Sequence, residues 1–136
     1  NATFYLTGVQ LEEGSSATPF EHRSYAEELA RCKRYYQQSW IGGSMSSTTD
    51  YVSITPSSAT ASVFIWDIPY QHEVRSNPTV TIYNPADGTA GQIRCDANDT
   101  SYSAGISWAG IKHSRASTTG ASEGRSKYNY KIEAEL

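Results

Sequence analysis

The chain has 136 residues, the size of one ordinary domain with a single core and no room for two. Its net charge of −3, with Lys and Arg scattered along the sequence, provides no basic field for a polyanion and disfavours nucleic-acid binding. No apolar run approaches the roughly eighteen residues of a membrane span, and no signal-peptide pattern opens the chain, so membrane insertion is not expected.

Residues 4–12 alternate as a strand. Phe4 and Leu6 share a face, and the phase shifts at Gly8 so that Val9 and Leu11 continue it, the mark of a bulge. Gly14 and Pro19 then break the pattern. A short helix follows, because Ser24 with Glu27 three residues on is a capping-box pair. Glu27 and Glu28 sit in its first turn, and Arg31, Lys33 and Arg34 in its last, as the helix dipole favours. Tyr25, Leu29, Cys32 and Tyr36 fall at i, i+4, i+7 and i+11, an apolar stripe on a helix too short to stand alone in water. The stripe requires a partner surface.

Beyond Trp40 the chain changes to short β segments between polar loops. After the turn-rich "GGSMSSTT", the runs "YVSIT" and "TASVFIWDIPY" read as strands. Val63 and Ile65 oppose Phe64 and Trp66, so the second of these is apolar on both faces and is expected to be central. "PTVTIY" begins with proline at a strand's first position, and "NPADGTAG" supplies a hairpin-like connection into "QIRCD". "AGISWAGIKHS" is a further strand with Ile106 and Trp108 on one face. In "YNYKIEAEL", Tyr128, Tyr130, Ile132, Ala134 and Leu136 alternate with Asn129, Lys131, Glu133 and Glu135. About six such strands predict a mainly β fold: an antiparallel β-sandwich, jelly-roll-like, preceded by one short amphipathic helix. Cys32 and Cys95 belong to elements of different type and are expected as small, semi-buried apolar thiols rather than as a disulfide.

Catalytic chemistry is not apparent. Asp67, Asp87, Asp96, Asp99 and Glu123 form no recognisable pair across a groove of the kind a glycan-cleaving enzyme needs, and loop aspartates more often form turns. His22, His72 and His113 lack metal-ligand spacing, no G-x-S-x-G occurs, and the Gly-rich "ADGTAGQ" does not open a helix. No enzyme activity, metal or cofactor is therefore expected. Aromatic side chains remain, since sugar rings stack on Tyr and Trp while their hydroxyls need polar neighbours. The loops expected over 96–103 and 114–126 carry Asp99, Tyr102, Arg115 and Arg125, which with the adjoining His113 are the candidate ligand contacts, whereas Trp66 and Trp108 are expected in the core.

The segment "TGVQLEEGSSATPFEHRSYAEELARCKRYY" resembles a pattern of bacteriophage tail fibres and related virion host-recognition proteins. The positions that carry the likeness are Gly8, Gln10, Leu11, Glu12, Ala17 to Glu21, Glu28, Leu29, Cys32, Arg34, Tyr35 and Tyr36. The resemblance implies that residues 1–23 are the last strand and turn of a preceding carbohydrate-binding-module-like domain. It makes 24–39 a helical connector and 40–136 a C-terminal receptor-binding domain. It implies a homotrimeric virion protein that acts outside the cell on a host-surface glycan or protein, beside other virion tail proteins. Tyr25, Leu29, Cys32 and Tyr36 are then candidate trimer contacts; the alternative is that they pack on the chain's own sandwich. A structural virion component without host ligand and a polysaccharide depolymerase are the other readings.

Overall fold

The computed structural model describes residues 3–42, 50–55, 64–119 and 124–134. Helix α1 spans Tyr25–Lys33, and the strands are β1 (Tyr36–Gln38), β2 (Val52–Ile54), β3 (Phe64–Pro69), β4 (Thr79–Tyr83), β5 (Gln92–Cys95), β6 (Thr100–Ala109), β7 (His113–Thr118) and β8 (Ser126–Glu133). All named pairings are antiparallel, so the mainly β class with one short helix holds.

Strand β8 organises the sheet. Ile132 lies opposite both Gln37 of β1 and Val80 of β4, and Lys127 lies opposite both Ser53 of β2 and Arg94 of β5. One residue can face two partners only across two edges, so β8 is bounded on both sides along both of its halves. From β8 the sheet continues through β5, β6 and β7 to β3. Four strand spacings would set β3 about 19 Å from β8 in a flat sheet. Instead the Trp66 ring of β3 lies 5.5 Å from the Tyr128 ring of β8. The sheet therefore curls over on itself in a sandwich-like manner. Ile68, Ile82, Ile93 and Ile132 fill the interior with these two rings.

Tyr128, Tyr130, Ile132 and Ala134 are buried as expected, but Asn129 on the opposite face is buried as well, so the alternation holds only in part; Leu136 lies outside the described residues. Several other expectations are corrected. Strand β3 is at the end of the strand order rather than central, and Ile65 is 53% exposed because only the face bearing Trp66 and Ile68 meets the core. Val63 falls outside the described residues. "AGISWAGIKHS" is not one strand: it is the end of β6, a turn at 110–112 and the start of β7. A register shift between Ile106 and Trp108 sends Ile106 toward the core and leaves Trp108 51% exposed. "NPADGTAG" reverses the chain through a Tyr83–Ala90 bridge, yet β4 and β5 then go on to pair with β8.

Residues 4–12 form no strand. A single extended segment needs a neighbouring edge to bond with, and no ladder reaches it among the described residues; Leu11 is 98% exposed. Gly8 has φ +71, so the predicted phase change is a left-handed residue rather than a bulge in a ladder. Gln10 and Glu12 instead close the turn. Glu12 accepts from the Thr18 amide and hydroxyl, both at 2.5 Å, and Gln10 Oε1 accepts from the Glu21 amide at 2.9 Å.

The Ser24 cap is present, its hydroxyl accepting from the Glu27 amide at 3.2 Å, while the Glu27 carboxylate bonds Arg31 at 3.0 Å. None of the helix residues is buried, and Tyr36 belongs to β1. Among the described residues the sandwich does not bury the stripe: Tyr25 is 81%, Tyr36 43% and Leu29 38% exposed, and Cys32 is exposed. Cys95 is buried, which corrects the matched semi-buried thiols, and the two cysteines do not pair. The helix is joined to the sheet by the buried Gln37 amide. Its Nε2 donates to the carbonyls of Lys33 (2.9 Å) and His72 (2.6 Å), and its Oε1 accepts from the Gln71 amide (2.9 Å).

Truncating Ile132, fully buried between two strands, should cost about 2–5 kcal/mol as Ile132→Ala. Ile65→Ala, on the outward face of β3, should cost about 1 kcal/mol or less. Chemical denaturation of both variants checks this, and equal costs would contradict the assignment of β8 as the buried centre.

Candidate functional site

The β5–β6 hairpin turns through residues 96–99, with Cys95 opposite Thr100. Asp99 takes the left-handed conformation at φ +53, which aspartate tolerates better than most side chains. Asn98 supports the turn: its Oδ1 accepts from the Thr100 amide at 3.3 Å, and its Nδ2 donates to the Tyr102 hydroxyl at 2.6 Å. Gly124, at φ +125, passes so close that a Cβ there would lie 2.8 Å from the Ala97 Cβ, which fixes the 124–125 segment against the turn.

Beside this turn lies a cleft of about 230 Å³, lined by Tyr51, Pro85, Arg94, Asp96, Asp99 and Lys127. Arg94 and Lys127 are direct cross-strand neighbours, a like-charge juxtaposition that costs energy unless each charge is neutralised. Each has its own aspartate: Arg94 Nη2 lies 2.5 Å from Asp99, and Lys127 Nζ lies 2.8 Å from Asp96, which Arg125 also reaches at 2.7 Å. The hydrogen bond from Lys127, then that from Arg125, holds the Asp96 carboxyl below the usual carboxylate range. The same bond raises the Lys127 ammonium. Lys127 also sits 4.5 Å from the centre of the Tyr51 ring, a cation–π contact that orients both side chains.

The five predicted ligand contacts do not converge. Asp99 and Arg125 border this cleft, and Tyr102 is linked to it through Asn98. His113 and Arg115 lie on β7 beside the far end of β6, where Arg115 faces Trp108, whereas Tyr102 faces Ile93 near the start of β6. There the His113 and Trp108 rings are 4.9 Å apart, and Arg115 pairs with Asp67 at 3.1 Å. The expected loops 96–103 and 114–126 are shorter than predicted, because Tyr102 belongs to β6 and Arg115 to β7, which begins at His113. Residues 120–123 lie outside the described residues.

Of the carboxylates, Asp87 is a turn former accepting from the Thr89 amide at 2.9 Å, and Asp67, Asp96 and Asp99 are ion-paired; Glu123 lies outside the described residues. No group of metal-ligating side chains occurs among the described residues. Tyr51, Arg94 and Lys127 were not among the predicted contacts. Their signal was a charged residue alternating with buried ones at a strand end, as in Ile93–Arg94–Cys95, next to an Asp-rich turn. A larger hollow of about 750 Å³ follows residues 9–28, but Gln10, Glu12, Thr18, Glu21, Arg23 and Glu28 within it are bonded to one another.

A depressed carboxyl contributes stability above its unfolded pKa, about 3.9, and loses that contribution as pH falls through its folded value. The Asp96 contribution should therefore be constant at neutral pH and disappear only in acid. NMR titration of the Asp96 carboxyl should give a midpoint below that of a free aspartate, moving upward in Lys127→Met. An unmoved midpoint would show that Lys127 is not the principal cause.

Comparison with protein-family models, with curated proteins and with solved structures finds no match in any of the three.

Proposed function

We propose that this chain is the host-recognition part of a bacteriophage tail fibre and binds a host-surface glycan in the Tyr51 cleft. The observation that carries this reading is an aromatic ring with two aspartates and three cations fixed around it at the end of a packed sheet. An apolar ring face accepts the C–H face of a sugar, while bonded charges present donors and acceptors to its hydroxyls. At about 230 Å³, the cleft is smaller than the roughly 300–1,000 Å³ that encloses a drug-sized ligand. It suits one ring or branch of a longer polymer.

Binding is favoured over depolymerisation because Asp96 is held ionised by two cations and the other carboxylate of the cleft, Asp99, is ion-paired with Arg94. A glycosidase of the ordinary kind needs one carboxyl with a raised pKa to protonate the leaving group. The same reading places the protein in the virion, next to other tail proteins, as a homotrimer. The uncovered Tyr25, Leu29 and Tyr36 supply apolar surface for copies meeting on an axis.

Purified protein should adsorb to host cells and block infection, and Tyr51→Ala with Arg94→Ala should weaken adsorption about tenfold or more with folding intact. Undiminished adsorption by the folded double variant removes the cleft from the account. A wild-type protein that neither adsorbs to nor protects its true host points to a structural virion component. Light scattering at micromolar concentration should give three copies, and Leu29→Asp should yield folded monomers; a wild-type monomer refutes the trimer.

A further inference from the structure

A second cleft, of about 530 Å³, opens between α1 and the β3–β4 connection, where Arg31, Arg34, His72 and Arg75 contribute to its lining. Its two acidic residues are already engaged. Glu27 bonds Arg31 at 3.0 Å, and Glu73 lies 3.7 Å from Lys112. Neither Arg34 nor Arg75 has a carboxylate partner among the described residues.

These two arginines are held next to each other by the backbone, because the Arg75 amide donates to the Arg34 carbonyl at 3.0 Å. The Arg75 guanidinium lies over the Tyr35 ring, 5.8 Å from its centre, which restricts the directions it can take. The walls of the cleft are also fixed. The buried Gln37 amide ties the end of α1 to residues 71–72, and the Val74 amide donates to the Ile111 carbonyl at 2.9 Å. Two guanidiniums lining one cleft repel each other, and a shared anion offsets that repulsion. The planar fork of arginine matches the two oxygens of a carboxylate or phosphate.

We infer that this cleft is an anion site, taking the carboxylate or phosphate group of a ligand between Arg34 and Arg75 with His72 alongside. The site is separate from the Tyr51 cleft and does not depend on glycan binding there. Its chemistry fits an acidic sugar and a phosphate ester equally, so the test uses a probe for each.

Isothermal titration of the whole chain at low salt, with inorganic phosphate, galacturonate and neutral glucose in turn, distinguishes the sources. Saturable binding of phosphate alone identifies a phosphate-bearing ligand, and of galacturonate alone an acidic sugar. Glucose should not bind at this site. Arg34→Ala and Arg75→Ala should each weaken the anion about tenfold or more, whereas Tyr51→Ala should leave it unchanged. Both arginines are solvent-facing, so the variants should retain the circular dichroism of the parent. The proposal is overturned if neither anion binds saturably, or if the folded Arg34→Ala/Arg75→Ala double variant binds like wild type.

Discussion

The double occupancy of β8 is the constraint on which the sheet depends. Four strands from four places in the chain hydrogen-bond to this one segment: β1 and β4 along its second half, β2 and β5 along its first. Antiparallel ladders satisfy backbone donors and acceptors only if registers agree. Fixing β8 therefore fixes the height of every strand beside it. Arg94 and Lys127 are directly opposed because of that register, and so the Asp96–Asp99 turn stands next to Tyr51.

Buried polar side chains make the joints that apolar packing leaves unspecified. Gln37 connects helix to sheet, and the buried Asn84 donates to the Ser101 hydroxyl at 2.8 Å while its Oδ1 accepts from the Ala86 amide at 2.9 Å. Asn129 accepts from Ser39 at 3.0 Å. A buried amide left without partners is costly, so these residues select one arrangement among several that would bury similar apolar area. Both clefts lie next to such joints, which gives their charged side chains a firm base.

Local chemistry was legible in the sequence, and neighbour relations were not. The Ser24 cap, the Pro78 entry to β4 and the buried face of Tyr128, Tyr130, Ile132 and Ala134 each depend on residues close together in the chain, and each appears in the structure. Whether β3 lies centrally or at the end depends on which strands pair, which its own apolar residues do not encode. "SYS" and "SRAST" resembled loop because Ser and Thr are common in turns, yet in β7 Ser114 and Thr118 are buried on the same face as Ala116. Trp108 was misplaced for a different reason: one register shift reverses the facing of everything after it. The Tyr51 cleft joins β2, β5, the 96–99 turn and β8, a combination that no local pattern displays.

Strand β8 follows every strand that bonds to it in the chain. A ribosome that has made only the residues before Ser126 has produced β1, β2 and β4 with no β8 edge to receive them, so these segments wait with open donors and acceptors. Incomplete translation products would then be recognisable to cellular proteases as unfolded chains.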